Sequence, residues 1–178
     1  MIHSDINSEN IEQVKNLYRS AFPKAEQMKF SQLVCLGQQE DYIFWAFYDK
    51  GQWIGFTHCA LYKNTIYCMY LAIHPNYRNQ GYGTKCLQYI QNQFPDGNLL
   101  GEIEICDPSA ENNDLRMRRR EFYMRNGFHS AQYTISAFNI TYEILCTKDF
   151  YPEIYKEVVE RLHLFKEVPP LKKLESTL

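Results

Sequence analysis

The chain has 178 residues, 45% hydrophobic and 22% charged, with a net charge of −2 at pH 7. That length suits one packed domain, and the near-neutral charge gives no global attraction to nucleic acid or anionic membrane. No run reaches the roughly 18 apolar residues of a membrane span. The opening MIHSDINSENIEQ shows neither the basic nor the apolar region of a signal peptide. Six cysteines, none in a CxxC pair and most inside apolar runs, read as reduced core thiols of a cytoplasmic protein, with no metal site expected.

In chain order, Asp5 to Asn10 offers several N-cap residues. Ile11, Val14, Leu17 and Tyr18 then keep helical spacing until Phe22-Pro23 breaks it. Ser31 to Leu36 is a short helix ended by Gly37. Asp41 to Tyr48 and Gln52 to Leu61 are strands, joined as a hairpin through Asp49-Lys50-Gly51. After a turn at Asn64, Thr65 to Ile73 is a long strand, apolar on both faces, as in a central strand covered on both sides. The helix after Gly83 carries Leu87, Ile90 and Phe94 on one side and stops at Pro95-Asp96-Gly97. Leu99 to Cys106 is a fifth strand, and the polar loop DPSAENND leads to a helix from about Leu115 to Asn126, closed by Gly127. Phe128 to Ile135 and Asn139 to Cys146 form a last strand pair, and Pro152 to Phe165 an amphipathic helix. The predicted class is mixed α/β, one domain over residues 1–178 around a largely antiparallel sheet.

The junction HPNYRNQGYGTKC, residues 74–86, lies where the long strand gives way to a helix. Glycines there let the backbone take positive φ and let other atoms approach closely. Freed N–H groups and the helix dipole make an anion site, to which Arg78 adds a charge and Thr84 a hydroxyl. This is chemistry for a phosphate or pyrophosphate. GxxxxGK[ST] is absent, and Cys86 stands where a dinucleotide fingerprint needs its third glycine.

The run Leu71-Ala72-Ile73-His74-Pro75, followed by Arg78, Gly81 and Gly83, resembles the acetyl-CoA motif of the GNAT superfamily of N-acetyltransferases. Further on, Phe122-Tyr123 with Gly127-Phe128 resembles that family's helix-to-strand signature, in the family's order and spacing. The resemblance covers residues 1–147 and leaves 148–178 as a C-terminal helical extension. It implies a sheet of about six to seven strands, flanked by helices and splayed between strands 4 and 5. It also implies a reaction: acetyl transfer from acetyl-CoA to a primary amine by direct attack. The backbone of Leu71, Ala72 and Ile73 is expected to pair with the pantetheine arm. Arg78, Asn79, Gln80, Gly81, Tyr82, Gly83 and Thr84 are expected to hold the pyrophosphate. Tyr123 matches the family tyrosine and is assigned as the acid that protonates the departing thiolate.

A lysine-like amine leaves only about one molecule in 2,500 neutral at pH 7, a deficit of about 4.6 kcal/mol that a base partly recovers. Strand period puts Glu102 and Glu104 on one face, with Ile103 and Ile105 on the other. Glu104 is the first choice of base and Glu102 a group orienting the amine, with His74 a weaker alternative. Arg116 and Arg119 stand where many members carry asparagine and alanine. They are expected either to reach a phosphate or acidic substrate or to form a solvated helix face. Glu26 and Phe30 fall where the family's variable early loop borders the acceptor pocket. The C-terminal helix is read as packing on its own domain, covering the acceptor or forming a homodimer contact. The expected partner is a small-molecule or peptide amine, with no nucleic acid and no membrane. The alternative is a non-catalytic CoA-binding sensor or scaffold module.

Overall fold

Antiparallel hairpins build most of the structure. A computed structural model describes residues 1–162 and 167–174, and its contacts group into two compact units, Met1–Gly97 and Asn98–Leu178. Among the described residues there are eight strands and five α-helices. The two strands beyond those expected are a short one at the start and a two-residue one near the end.

In the first unit, β1 (Ile2–Asp5), β2 (Tyr42–Asp49), β3 (Gln52–Tyr62) and β4 (Thr65–Ile73) pair in that order, each antiparallel to the next. Six consecutive residues of β2, Tyr42 to Phe47, are buried, because helices cover both faces of this unit. Phe44 and Ala46 join a core with Val14, Leu17 and Tyr18 of α1 (Ile11–Ala21), Leu33 of α2 (Phe30–Leu36), and Phe56, Tyr70 and Ala72. Trp45 and Phe47 instead meet Tyr89 of α3 (Tyr82–Gln93), with ring centroids 6.3 and 6.0 Å apart. Burying each such side chain stabilises the fold by about 2 kcal/mol. Aromatic residues make up 15% of the sequence, and several of them build this double-sided core.

Asn10 does not cap α1 with its side chain. Fully buried, it turns back to accept from the Asn7 amide and to donate to Ser4 and the Asp5 carbonyl. It thereby ties the helix start to β1, an element without sequence signal because its inner face is only half buried.

In the second unit the strand order is β5 (Asn98–Glu104), β7 (Ile140–Cys146), β6 (His129–Ala137) and β8 (Lys172–Lys173), again antiparallel. α4 spans Asn113–Arg125 and α5 Pro152–Arg161. α5 packs on its own unit through buried Tyr155, Val158, Val159 and Leu162, and the Tyr155 hydroxyl donates a hydrogen bond to Glu102. Phe165, the expected helix end, lies outside the described residues.

Candidate active site

The end of β4 is bent before the site begins. His58 pairs with Tyr70 and Cys59 with Cys68, so Met69 has no partner on β3. This bulge lies directly before Tyr70 and Leu71, where it twists the strand and re-aims the side chains that follow. Leu71 and Ile73 are half-buried and Ala72 is buried.

His74 then starts a single 3-10 turn, Pro75–Tyr77, and its Nδ1 accepts from the Asn76 amide at 3.4 Å. Its ring is engaged in the turn and stands against Trp53, centroids 5.6 Å apart. Arg78 Nε donates to the Ile73 carbonyl at 3.1 Å, pulling the loop back onto the strand end. Gln80 does the same within the loop through the Asn76 carbonyl, at 2.8 Å. Asn79 and Gly81 both take positive φ, +59° and +79°. Gly81 is the N-cap of α3, and no side chain caps that helix. The amides of Tyr82, Gly83 and Thr84 therefore open the helix without a side-chain acceptor, at the positive end of its dipole. Gly83 itself is helical, so what it offers is close approach rather than unusual φ. Tyr82 holds the other side of the turn by donating to Asp49 Oδ2 at 3.1 Å, and that bond keeps the Asp49 carboxyl below its ordinary range.

The early segment between α1 and α2 carries Glu26, and Phe30 opens α2. Phe30 packs against Tyr18 and Phe44, centroids 5.9 and 6.2 Å apart, so it belongs to the core edge. Glu26 is half-buried, and its carbonyl accepts from Tyr70 Oη at 2.7 Å.

In the second unit, the register sets Glu102 beside Ile144 and Glu104 beside Tyr142, with Ile103 between them opposite Glu143. Glu104 is nearly buried, and its carboxylate meets Arg116 Nη2 at 2.8 Å and Arg119 Nη1 at 3.5 Å, one on each oxygen. Asn112 Nδ2 donates to it at 3.3 Å. Arg116 is held on three sides, since it also donates to Asn112 Oδ1 and to the Ile105 carbonyl. Arg119 is half-exposed and more loosely held. One turn on, Arg120 makes a two-pronged contact with buried Glu143, at 2.9 and 3.3 Å. Within the basic run of α4, Arg116, Arg119 and Arg120 thus face carboxylates of the sheet. They neutralise two inward carboxylates of the sheet, which lack of partners would make costly to bury. Sequence reasoning missed this network. Its signal was an arginine-rich helix in a chain whose strands carry acidic residues at inward positions.

Tyr123 lies on α4 with its ring between Phe122 and Phe128, centroids 5.2 and 5.1 Å away. Gly127, at φ +83°, ends the helix: its amide donates to the Met124 carbonyl and the Phe128 amide to the Tyr123 carbonyl. This is a complete Schellman stop, with the tyrosine–phenylalanine contact that usually accompanies it. On the same helix a cavity of about 560 Å³ is lined by Met117, Met124, Arg120 and Cys106 among others. Among the described residues no cluster of three or more His, Cys, Asp or Glu could hold a metal ion.

A strand bulged before its end, a positive-φ turn and a helix start with no side-chain cap make an α/β protein with a strand-to-helix turn suited to an anion. The chain belongs to the GNAT acetyltransferase family, whose domain model matches residues 40–130. Among solved structures it is similar to a GNAT-family protein from Bacteroides thetaiotaomicron, at 20% identity over 92% of this chain and 96% of that one, with a TM-score of 0.72. It is also similar to an aminoglycoside 6'-N-acetyltransferase complexed with coenzyme A, at 16% identity, 82% and 96% coverage and TM-score 0.66. A third is the ribosomal-protein-S18-alanine N-acetyltransferase from Escherichia coli, at 15% identity, 85% and 96% coverage and TM-score 0.62. At these identities the likeness establishes the fold. No curated protein matches the chain.

Proposed function

We propose that the chain is an acetyl-CoA-dependent N-acetyltransferase acting on a primary amine by direct attack. The observation that carries this is the uncapped start of α3 behind Gly81 at φ +79°, with Arg78 holding the loop to Ile73. Backbone donors at a positive helix end suit a pyrophosphate. The amides from Asn79 to Thr84 would hold it, and the backbone of Leu71 to Ile73 would receive the pantetheine arm. Acetyl-CoA, when bound, supplies an activated acyl group on a thiol leaving group.

The chain's own residues then handle protons. Tyr123 gives its hydroxyl proton to the departing sulfur. Glu104 receives the proton of the amine, and the arginines set the terms: a carboxylate engaged on both oxygens has fewer lone pairs to offer. Arg119, the longer and more exposed contact, is the one an incoming ammonium replaces, while Arg116 stays and fixes the carboxylate's orientation. Glu102, taking its hydrogen bond from Tyr155, orients the amine. Residues around Glu26 and Phe30 border the acceptor.

That same double pairing of Glu104 favours a second reading, a CoA-binding module without catalysis. Both readings predict heat on titration with coenzyme A, and they divide on turnover. Acetyl-CoA is offered with spermidine, an aminoglycoside or a peptide with an N-terminal alanine, and free thiol is followed. Sustained release with one of them establishes the transferase. Heat without release establishes the module, and no heat refutes both.

A further inference from the structure

We infer that Tyr70 is a positioning residue for the acceptor amine: its hydroxyl clamps the backbone of residues 26–28 to β4 directly beside Leu71. This deepens the reading just given and rests on it. Leu71 opens the stretch assigned to the donor's arm, so the clamp fixes the distance between the acceptor-side segment and the donor-side strand.

The geometry is specific. Tyr70 Oη donates to the Glu26 carbonyl at 2.7 Å and accepts from the Met28 amide at 3.4 Å. Tyr18 Oη donates to the Met28 carbonyl at 3.1 Å. The two rings stand perpendicular, centroids 5.0 Å apart. Tyr70 and Tyr18 are 6% and 1% exposed, so little water competes for these bonds. Phenylalanine at either place would pack equally well against Phe22, Phe30 and Phe56. Two phenols in an apolar cluster carry a desolvation cost that their backbone bonds offset. Gln27, between the clamped residues, binds back to the Arg19 and Phe22 carbonyls, which is local to the segment. Tyr70 carries its hydrogen bonds to the sheet. The bulge at Met69 is what turns this residue into the α1 core while Leu71 continues the strand.

The segment also has a charge to present. Burial raises the Tyr70 hydroxyl above its ordinary pKa, and the nearby Glu26 carboxylate adds to the rise. A carboxylate on a backbone that is hydrogen-bonded to the residue before Leu71 suits an acceptor that arrives as a cation.

Tyr70→Phe tests this with the three amines above and acetyl-CoA. The amine KM should rise about tenfold, with kcat within about twofold of wild type and the coenzyme A Kd unchanged. Tyr18→Phe, which leaves both bonds of Tyr70 to the segment in place, should raise KM less. Glu26→Gln should add little in the Tyr70→Phe background, because both act through the same segment. An unmoved KM, a fall confined to kcat, or KM and coenzyme A Kd weakening together overturns the inference while the transferase reading stands. Wild-type protein that binds no coenzyme A, or that releases no thiol with any of the amines, overturns both.

Discussion

Gly81 and Gly127 share a left-handed backbone and differ in what depends on it. At both, an added Cβ would meet nothing within 4 Å, so an alanine is opposed by φ alone, +79° and +83°. That costs about 1 kcal/mol at each position. Gly81→Ala has a second effect, because relaxing φ tilts the amides that open α3. We expect the coenzyme A Kd to weaken about tenfold in Gly81→Ala, against less than twofold in Gly127→Ala with a similar loss of stability. Calorimetry on the pair separates anion binding from general strain, and equal Kd values would remove the anion role from the turn. Tyr123 makes the complementary case. Its ring contacts to Phe122 and Phe128 survive in Tyr123→Phe, so the melting temperature should hold within about 2 °C. If its hydroxyl is the acid, turnover falls about 10²-fold with the coenzyme A Kd unchanged. Thiol release within about twofold of wild type would exclude that role.

The elements show why some of this was legible and some was not. Strands β2, β3 and β4 were readable because their residues alternate or run apolar between clear turns, and Lys50-Gly51 closes its hairpin with positive φ at both positions. α4 was readable at its end, where tyrosine, glycine and phenylalanine spell a Schellman stop. Breaking it with Gly127→Ala should lower the unfolding free energy by about 1 kcal/mol, read from the urea midpoint at constant slope. A change below about 0.3 kcal/mol would mean that the helix ends another way. The body of α4 gave no such signal, since none of its residues is buried and its arginines find partners far away in the chain. A basic run looks the same in sequence whether water or buried carboxylates neutralise it. β1 and β8 were missed for a related reason: strands of four and two residues draw their existence from the neighbour they pair with. The clamp of Tyr70 and Tyr18 on residues 26–28 likewise spans 42 and 10 positions, and tyrosines inside apolar runs read first as core.

At the scale of the whole molecule, the buried polar group with the largest consequence is His58. It is fully buried beside Phe44 and Tyr42. Its Nε2–H donates to the Leu33 carbonyl at 3.1 Å, and Nδ1 has no hydrogen-bond partner among the described residues. Burial pushes its pKa down to about 4, against a smaller opposing effect of the Leu33 carbonyl. The unfolded chain takes up a proton near pH 6.5 while the native state resists until about pH 4. The resulting stability is complete above pH 6.5 and drains away as pH falls through that window, by about 3 kcal/mol in total. His3, stacked on Trp45 and also lowered by burial, acts in the same direction. Between pH 6.5 and 5 most carboxylates are still ionised in either state, so the slope there belongs to histidines. Urea unfolding at half-unit intervals should show the wild type losing stability steadily across this range. His58→Leu should begin lower, having left the Leu33 carbonyl without its donor, and should lose much less per pH unit. Parallel curves for the two proteins would mean that His58 is protonated as readily in the native core as in the unfolded chain.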